Sequence, residues 1–225
     1  MHILDNKTGL LFVENPKVGS TFLRNILYDN YLEGNASASN VDVRKITRAN
    51  YSVCANKYNF CDFFLKLKMK KDSVQVVMFL RDPLMRLNSA YNDKIKSFSS
   101  KESEESKAIF LKLRKRYENF LVQNKVNDQL ESFINWCVLP ENANPHWDFQ
   151  YEIAQKALLK PTKLVPLNKM SSFLSHYYTV INRDPINQSK NTTECLISND
   201  LLSELASKKL LNEQEYYEKA LLYAK

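Results

Sequence analysis

The chain has 225 residues, 44% of them hydrophobic and 25% charged, with a net charge of +7. That apolar content buries a sizeable core and excludes an intrinsically disordered polymer. No apolar run reaches the length of a membrane span, residues 1–9 are too short and polar for a signal peptide, and nothing divides the pattern into two cores, so one domain over residues 1–225 is expected.

The first predicted strand is residues 10–14, a short apolar run that Asn15-Pro16 interrupts. Phe22, Leu23, Ile26 and Leu27 then recur at helical spacing and predict a helix over residues 20–31. The intervening loop opens that helix. Its first amides lack intrahelical partners and the helix dipole places partial positive charge there, which stabilises an anion. Gly19 permits close approach and a positive φ, Ser20 and Thr21 offer hydroxyls, and Lys17 adds a full charge. These pieces suit a phosphate. In the GxxxxGK[ST] loop of ATPases and kinases the lysine follows the last glycine, whereas Lys17 precedes Gly19 by two residues. Taken alone, the segment is also compatible with a strand-turn-helix whose Lys17 is merely solvated.

Helical patterns over residues 41–48 and 59–70 lead to a second apolar strand at 74–80, which ends in Arg81-Asp82-Pro83. Pro83 suits the first position of a helix over residues 83–98, and Asp82 suits its cap. Arg81 therefore emerges at a strand end, with Ser89 two turns into the helix. Arg86 is either a site residue or a salt-bridging face residue. A long charged stretch over residues 101–123 reads either as an excursion over an acceptor cleft or as an exposed amphipathic helix. Further helices are expected at 128–138, 170–181 and 199–224, and a third strand at 163–167, giving an α/β fold with a buried parallel sheet.

Cys54, Cys61, Cys137 and Cys195 form no CxxC pair and have no histidine at metal spacing, so buried free thiols and no metal are expected. The basic runs at residues 66–71 and 112–116 read as solvated helix faces rather than a specific nucleic-acid site.

Two of these segments share a resemblance. PKVGST around Lys17 resembles the 5′-phosphosulfate loop of sulfotransferases that use 3′-phosphoadenosine 5′-phosphosulfate (PAPS), and RDPLMRLNSAY from Arg81 resembles their 3′-phosphate element. His146-Trp147-Asp148-Phe149-Gln150 resembles the HWxxQ segment, and Asn187-Gln188-Ser189 the NxS element, of carbohydrate sulfotransferases related to the HNK-1 and chondroitin 4-O enzymes. The cysteine pairs usual after HWxxQ are missing, and Asn168 stands where many relatives place an acidic residue.

The resemblance implies a P-loop-like sulfotransferase fold, with a central parallel sheet flanked by helices. It implies PAPS as co-substrate without a metal, and transfer of a sulfuryl group to a hydroxyl of a carbohydrate acceptor; the net charge of +7 suits anionic ligands, PAPS and an acidic saccharide among them. Lys17 with Val18, Gly19, Ser20, Thr21 and Phe22 would hold the 5′ end. Arg81 and Ser89 would hold the 3′-phosphate, and Ser189 and Lys190 would also contact the donor. Lys17 would carry catalysis with His146 as general base, and Trp147 would stack on a sugar ring. Glu33 and Asp29 are the carboxylate alternatives, and a structural role for His146 stays open, as does packing for His176. A phosphate loop so near Met1 suggests a cytoplasmic bacterial or viral enzyme, or else a Golgi-lumenal domain trimmed of its anchor. A small-molecule kinase and a noncatalytic polyanion-binding domain are the competing classes.

Overall fold

The computed structural model describes residues 2–5, 8–31, 74–97, 104–157, 159–179 and 197–223. They divide into two compact units, one made of Met1–Leu80, Ala154–Asn191 and Lys219–Lys225, the other of Arg81–Ile153 and Thr192–Glu218. The strands are β1 (His2–Asp5), β2 (Leu10–Val13), β3 (Gln75–Leu80) and β4 (Lys163–Pro166). The helices are α1 (Ser20–Tyr31), α2 (Pro83–Ala90), α3 (Glu104–Asn124), α4 (Leu130–Cys137), α5 (Gln150–Lys156), α6 (Met170–Ser175) and α7 (Glu204–Tyr223).

All four strands belong to the first unit and pair in the order β1-β2-β3-β4. β2, β3 and β4 are parallel, with Phe12 opposite Val77 and Phe79 opposite Val165. The three predicted strands stand within a residue of their expected limits. β1 was not predicted. It runs antiparallel to β2, with Ile3 opposite Phe12, and four residues are too few for alternation to register in the sequence. The return to β2 uses Gly9 at φ 73°, whose amide donates to the Asp5 carbonyl at 2.9 Å. The Asp5 carboxylate is buried at 1% exposure because the hydroxyls of Thr8 and Tyr178 each donate to it at 2.6 Å.

Period-two geometry sends Leu10, Phe12, Val77, Phe79 and Val165 to one side of the sheet. There they meet Phe22, Leu23, Ile26 and Leu27 of α1 and Met170 and Leu174 of α6. Leu11, Val13, Val76, Met78 and Leu80 occupy the alternate positions and are also buried, which is why β2 and β3 read as unbroken apolar runs. Each buried α1 side chain contributes about 1.5–3 kcal/mol, so α1 is held by packing rather than by propensity.

The second unit is helical around an aromatic centre. Trp136 and Trp147 lie 5.5 Å apart between ring centroids, and Phe133 meets Trp147 edge-on at 5.6 Å. Asp82 caps α2 by accepting the Met85 amide at 2.9 Å, and Pro83 occupies the first turn, as the sequence indicated.

The single helix expected over 83–98 is two elements, because α2 passes at Tyr91 into a π-helical turn, Tyr91–Lys96. The turn closes with the Ser97 amide on the Asn92 carbonyl at 2.9 Å. The extra residue per turn rotates Tyr91, Lys94 and Ile95 inward together. Lys94 is buried with its ammonium 4.6 Å from the Phe110 ring centre, a contact local sequence does not announce.

α3 is the amphipathic helix of the two readings. Phe110 and Tyr117 are buried, while Ile109, Leu111 and Val122 are exposed. In its basic run Lys112 and Lys115 are exposed, Arg114 pairs with Glu118, and Arg116 donates to the Glu141 carbonyl. α6 is shorter than expected. His176, just past its end, is exposed with Nδ1 2.7 Å from the Ser172 carbonyl, so it does not pack as the sequence suggested. α7 begins at Glu204 rather than Asn199, after a short 3-10 turn. The patterns at 41–48 and 59–70, the basic run at 66–71, Cys54, Cys61 and Cys195 lie outside the described residues. Cys137 is a free buried thiol, and burial pushes its pKa up.

Candidate active site

β2 ends at Val13 and the chain must turn into α1 within six residues. Lys17 at φ 69° and Gly19 at φ 70° both take the left-handed backbone region, and between them Val18 is buried at 2% exposure. Val18 anchors the loop in the core while Lys17 and Gly19 bend the chain around it. Such a conformation at a lysine runs against L-residue sterics, which makes it a mark of backbone constraint at this turn.

The first amide bonded into α1 is that of Leu23, which donates to the Gly19 carbonyl at 2.9 Å. The amides of Ser20, Thr21 and Phe22 precede it and have no carbonyl partner among the described residues. The Phe22 side chain is buried, whereas Ser20 is half-buried and Thr21 exposed.

Two braces around this loop escaped the sequence reading. Asn15 donates through Nδ2 to the Phe79 carbonyl at 3.0 Å, fixing the start of the loop to the end of β3. Glu14 and Arg24 form an ion pair from strand end to helix, spanning the turn. Asn15 was read only as a breaker, and a carboxylate ten residues from an arginine carries no recognisable pattern.

In the other unit Arg81 directly follows β3. Its amide donates to Gln150 Oε1 at 2.9 Å and its carbonyl accepts Gln150 Nε2 at 2.8 Å, so one side-chain amide holds the Arg81 backbone on both sides. Gln150 is fully buried and opens α5. Its amide and that of Tyr151 donate to the two carboxylate oxygens of Glu213 on α7, at 2.8 and 3.1 Å. Burial nevertheless pushes the Glu213 carboxyl above its ordinary range, with these amides and Arg86 opposing the shift. Tyr217, one turn further along α7, feels the charges of Asp82 and Arg81, and its phenol is raised mainly by burial.

Arg86 fits neither sequence reading. At 1% exposure it donates to the carbonyls of Asp148 at 2.8 Å and Pro145 at 3.0 Å, so it organises the His146–Gln150 loop from within. Burial lowers its pKa to about 10, opposed by Glu213 and Asp148, and it stays charged at neutral pH. Trp147 corrects a second expectation. It is wholly buried and its indole donates to the Asn142 carbonyl at 2.8 Å, leaving no face for a sugar ring. His146 is half-buried, its ring edge-on to Phe110 at 5.3 Å and its amide bonded to Asn144 Oδ1 at 3.0 Å. Ser89 is half-buried in the last turn of α2. Ser189, Lys190 and Glu33 lie outside the described residues, as does the side chain of Asp29.

A family model described as the sulfotransferase family matches residues 2–219, nearly the whole chain. The chain belongs to the sulfotransferase family. Comparison with curated proteins and with solved structures gives no match.

A sulfotransferase moves a sulfuryl group from a donor to an acceptor, and the parallel sheet with α1 opening on a phosphate-type loop accords with a P-loop-like sulfotransferase fold. Among the described residues no group of three or more His, Cys, Asp or Glu is placed to hold a metal ion, and no helix is long and apolar enough to cross a membrane.

In this sulfotransferase Gly19 is constrained twice. A Cβ there would sit in the disfavoured left-handed region, 3.1 Å from Leu167 Cδ1 and 3.2 Å from Met170 Sδ. Gly19→Ala is expected to lower stability by about 1–2 kcal/mol, mostly from the backbone, read as a lower urea midpoint. An unchanged midpoint would show that the loop relaxes freely.

Proposed function

We propose that this sulfotransferase transfers the sulfuryl group of PAPS to a hydroxyl of a carbohydrate and releases adenosine 3′,5′-bisphosphate. The observation that carries the reading is the loop at Lys17: three successive helix-opening amides without carbonyl partners among the described residues, beside a lysine held in a left-handed turn. That donor set suits a doubly anionic phosphosulfate better than a neutral group.

Lys17 and the amides of residues 18–22 hold the 5′ end and neutralise the charge that grows on the leaving phosphate oxygen as its bond to sulfur breaks. Arg81 and Ser89 take the 3′-phosphate, the guanidinium as a planar fork and the hydroxyl as a further donor. Ser189 and Lys190 add donor contacts. His146 accepts the acceptor hydroxyl's proton as the new sulfur–oxygen bond forms, a role histidine performs near neutrality. Positioning and charge stabilisation dominate, as in phosphoryl transfer.

Support for Arg81 comes from its bracing. Gln150 fixes the backbone from which the guanidinium projects, so less freedom is lost when the phosphate is gripped. Thermal-shift measurements with adenosine 3′,5′-bisphosphate and with ATP·Mg²⁺ test the reading. The bisphosphate is expected to raise the melting temperature with saturable dependence, ATP much less, and Arg81→Ala to remove most of the shift. A larger shift with ATP would favour a kinase. No shift with either would favour a polyanion-binding domain.

A further inference from the structure

We propose that Glu213, on α7, is a positioning residue for Arg81 and sets the preference of the donor site for a nucleotide bearing a 3′-phosphate, a role that rests on the PAPS reading above. The starting point is that α5 does not cap itself. Phe149, whose carbonyl accepts the Ile153 amide at 2.9 Å, stands before its first turn and has no side-chain acceptor. The acceptors come from α7 instead, one oxygen of Glu213 taking the Gln150 amide and the other the Tyr151 amide. One turn earlier Lys209 pairs with Glu152 at 2.8 Å, and its ammonium lies 5.7 Å from the Phe149 ring centre. Two successive turns of α7 therefore fix the opening turn of α5.

Glu213 holds the backbone of Gln150, and the Gln150 side chain holds Arg81. Its amide group exchanges two hydrogen bonds with the backbone of that one residue, as a residue on a neighbouring antiparallel strand would. Carboxylate, helix amide, side-chain amide and arginine backbone thus form one continuous chain of contacts. Glu213 is 1% exposed and Gln150 0%, so the chain runs through the interior. Burial penalises the carboxylate charge, and a serine or asparagine at position 149 would satisfy a first-turn amide without that penalty. Such a local cap would leave the start of α5 untied from α7. The carboxylate ties it, and Arg81 with it.

A carboxamide accepts at one atom only and turns a donor toward the other amide. In Glu213→Gln the opening turn of α5 must shift, Gln150 moves with it, and the Arg81 backbone loses its clamp. Gripping a phosphate then has to order a looser arginine.

Calorimetric titration with adenosine 3′,5′-bisphosphate and with adenosine 5′-monophosphate, which lacks only the 3′-phosphate, tests the role. Glu213→Gln is expected to weaken bisphosphate binding about tenfold and to leave monophosphate binding unchanged, which also shows that the variant folds. In an Arg81→Ala background the same substitution should weaken bisphosphate binding no further, because Glu213 acts through Arg81. Glu215→Gln, the same change at an exposed site of α7, should alter neither affinity. A purely structural loss would weaken both nucleotides alike and persist beside Arg81→Ala. Either of those results, or unchanged bisphosphate affinity in Glu213→Gln, would overturn the role of Glu213 alone. Wild-type protein that binds the bisphosphate no better than the monophosphate would instead sink the donor reading, and this role with it.

Discussion

Lys17→Ala is expected to lower kcat by about 10²–10³-fold, the effect of removing one preorganised donor from the oxygen on which charge develops, or about 3–4 kcal/mol of barrier. The size follows from placement. Lys17 lies two residues before the carbonyl that closes the first turn of α1, and its left-handed backbone is held between buried Val18 and the strand end that Asn15 fixes. On the proposed reading, a backbone so constrained limits the reorganisation needed when the leaving phosphate forms. Lys17→Gly separates charge from conformation. Glycine accepts φ 69° without strain, so that variant should fold at least as stably as the wild type, by up to about 1 kcal/mol, yet be as inactive as Lys17→Ala. Steady-state sulfate transfer with urea unfolding reads both. Half the wild-type rate in either variant would remove Lys17 from the chemistry.

Arg86→Met should cost about 3–5 kcal/mol of stability, because one partner of a buried charged network is removed and the rest stays buried. Two carbonyls, of Asp148 and Pro145, lose their donors, and Glu213 loses the cation that offsets its burial. The loss should reach Arg81 as well, since Gln150 follows directly from the loop that Arg86 organises.

The pH dependence has a defined sign. Glu213 has a folded pKa above its unfolded value, so the folded state binds its proton more tightly. Its contribution to stability is fully present below the ordinary carboxylate range and is lost as pH rises through the raised folded value. Without Arg86 the shift grows, and the variant should regain more stability on acidification than the wild type does. Arg86→Met combined with Glu213→Gln should fall short of the summed single losses, since both act in one network. A loss under about 1 kcal/mol for Arg86→Met, or strict additivity in the pair, would show that Arg86 is peripheral.

Three of the four strands, α1, and the order of the Lys17 loop and the Arg81 element were legible because their signals are local. Apolar runs bounded by breakers give β2, β3 and β4, and Asp82-Pro83 gives the start of α2. Lys17, Gly19 and the α1 amides follow from chain order alone, since a strand-loop-helix leaves those amides unsatisfied wherever it occurs.

What the sequence hid depends on partners far along the chain. Arg86 meets carbonyls some sixty residues away, Gln150 meets Arg81, and Glu213 reaches across from the last helix to cap α5. Trp147 looked like a sugar platform because type and neighbours carry no information about burial, which the core decides, with Phe133 and Trp136 packed against it. The π-helical turn and β1 have the same origin. Each is worth too little locally to stand alone and exists because a core or a neighbouring strand rewards it. The sequence by itself determined which groups the chain offers at this loop, a lysine and the opening amides of a helix. Only the tertiary structure decided which polar groups are free to meet a ligand and which are spent holding the fold, because burial and long-range hydrogen bonding are properties of the packed chain.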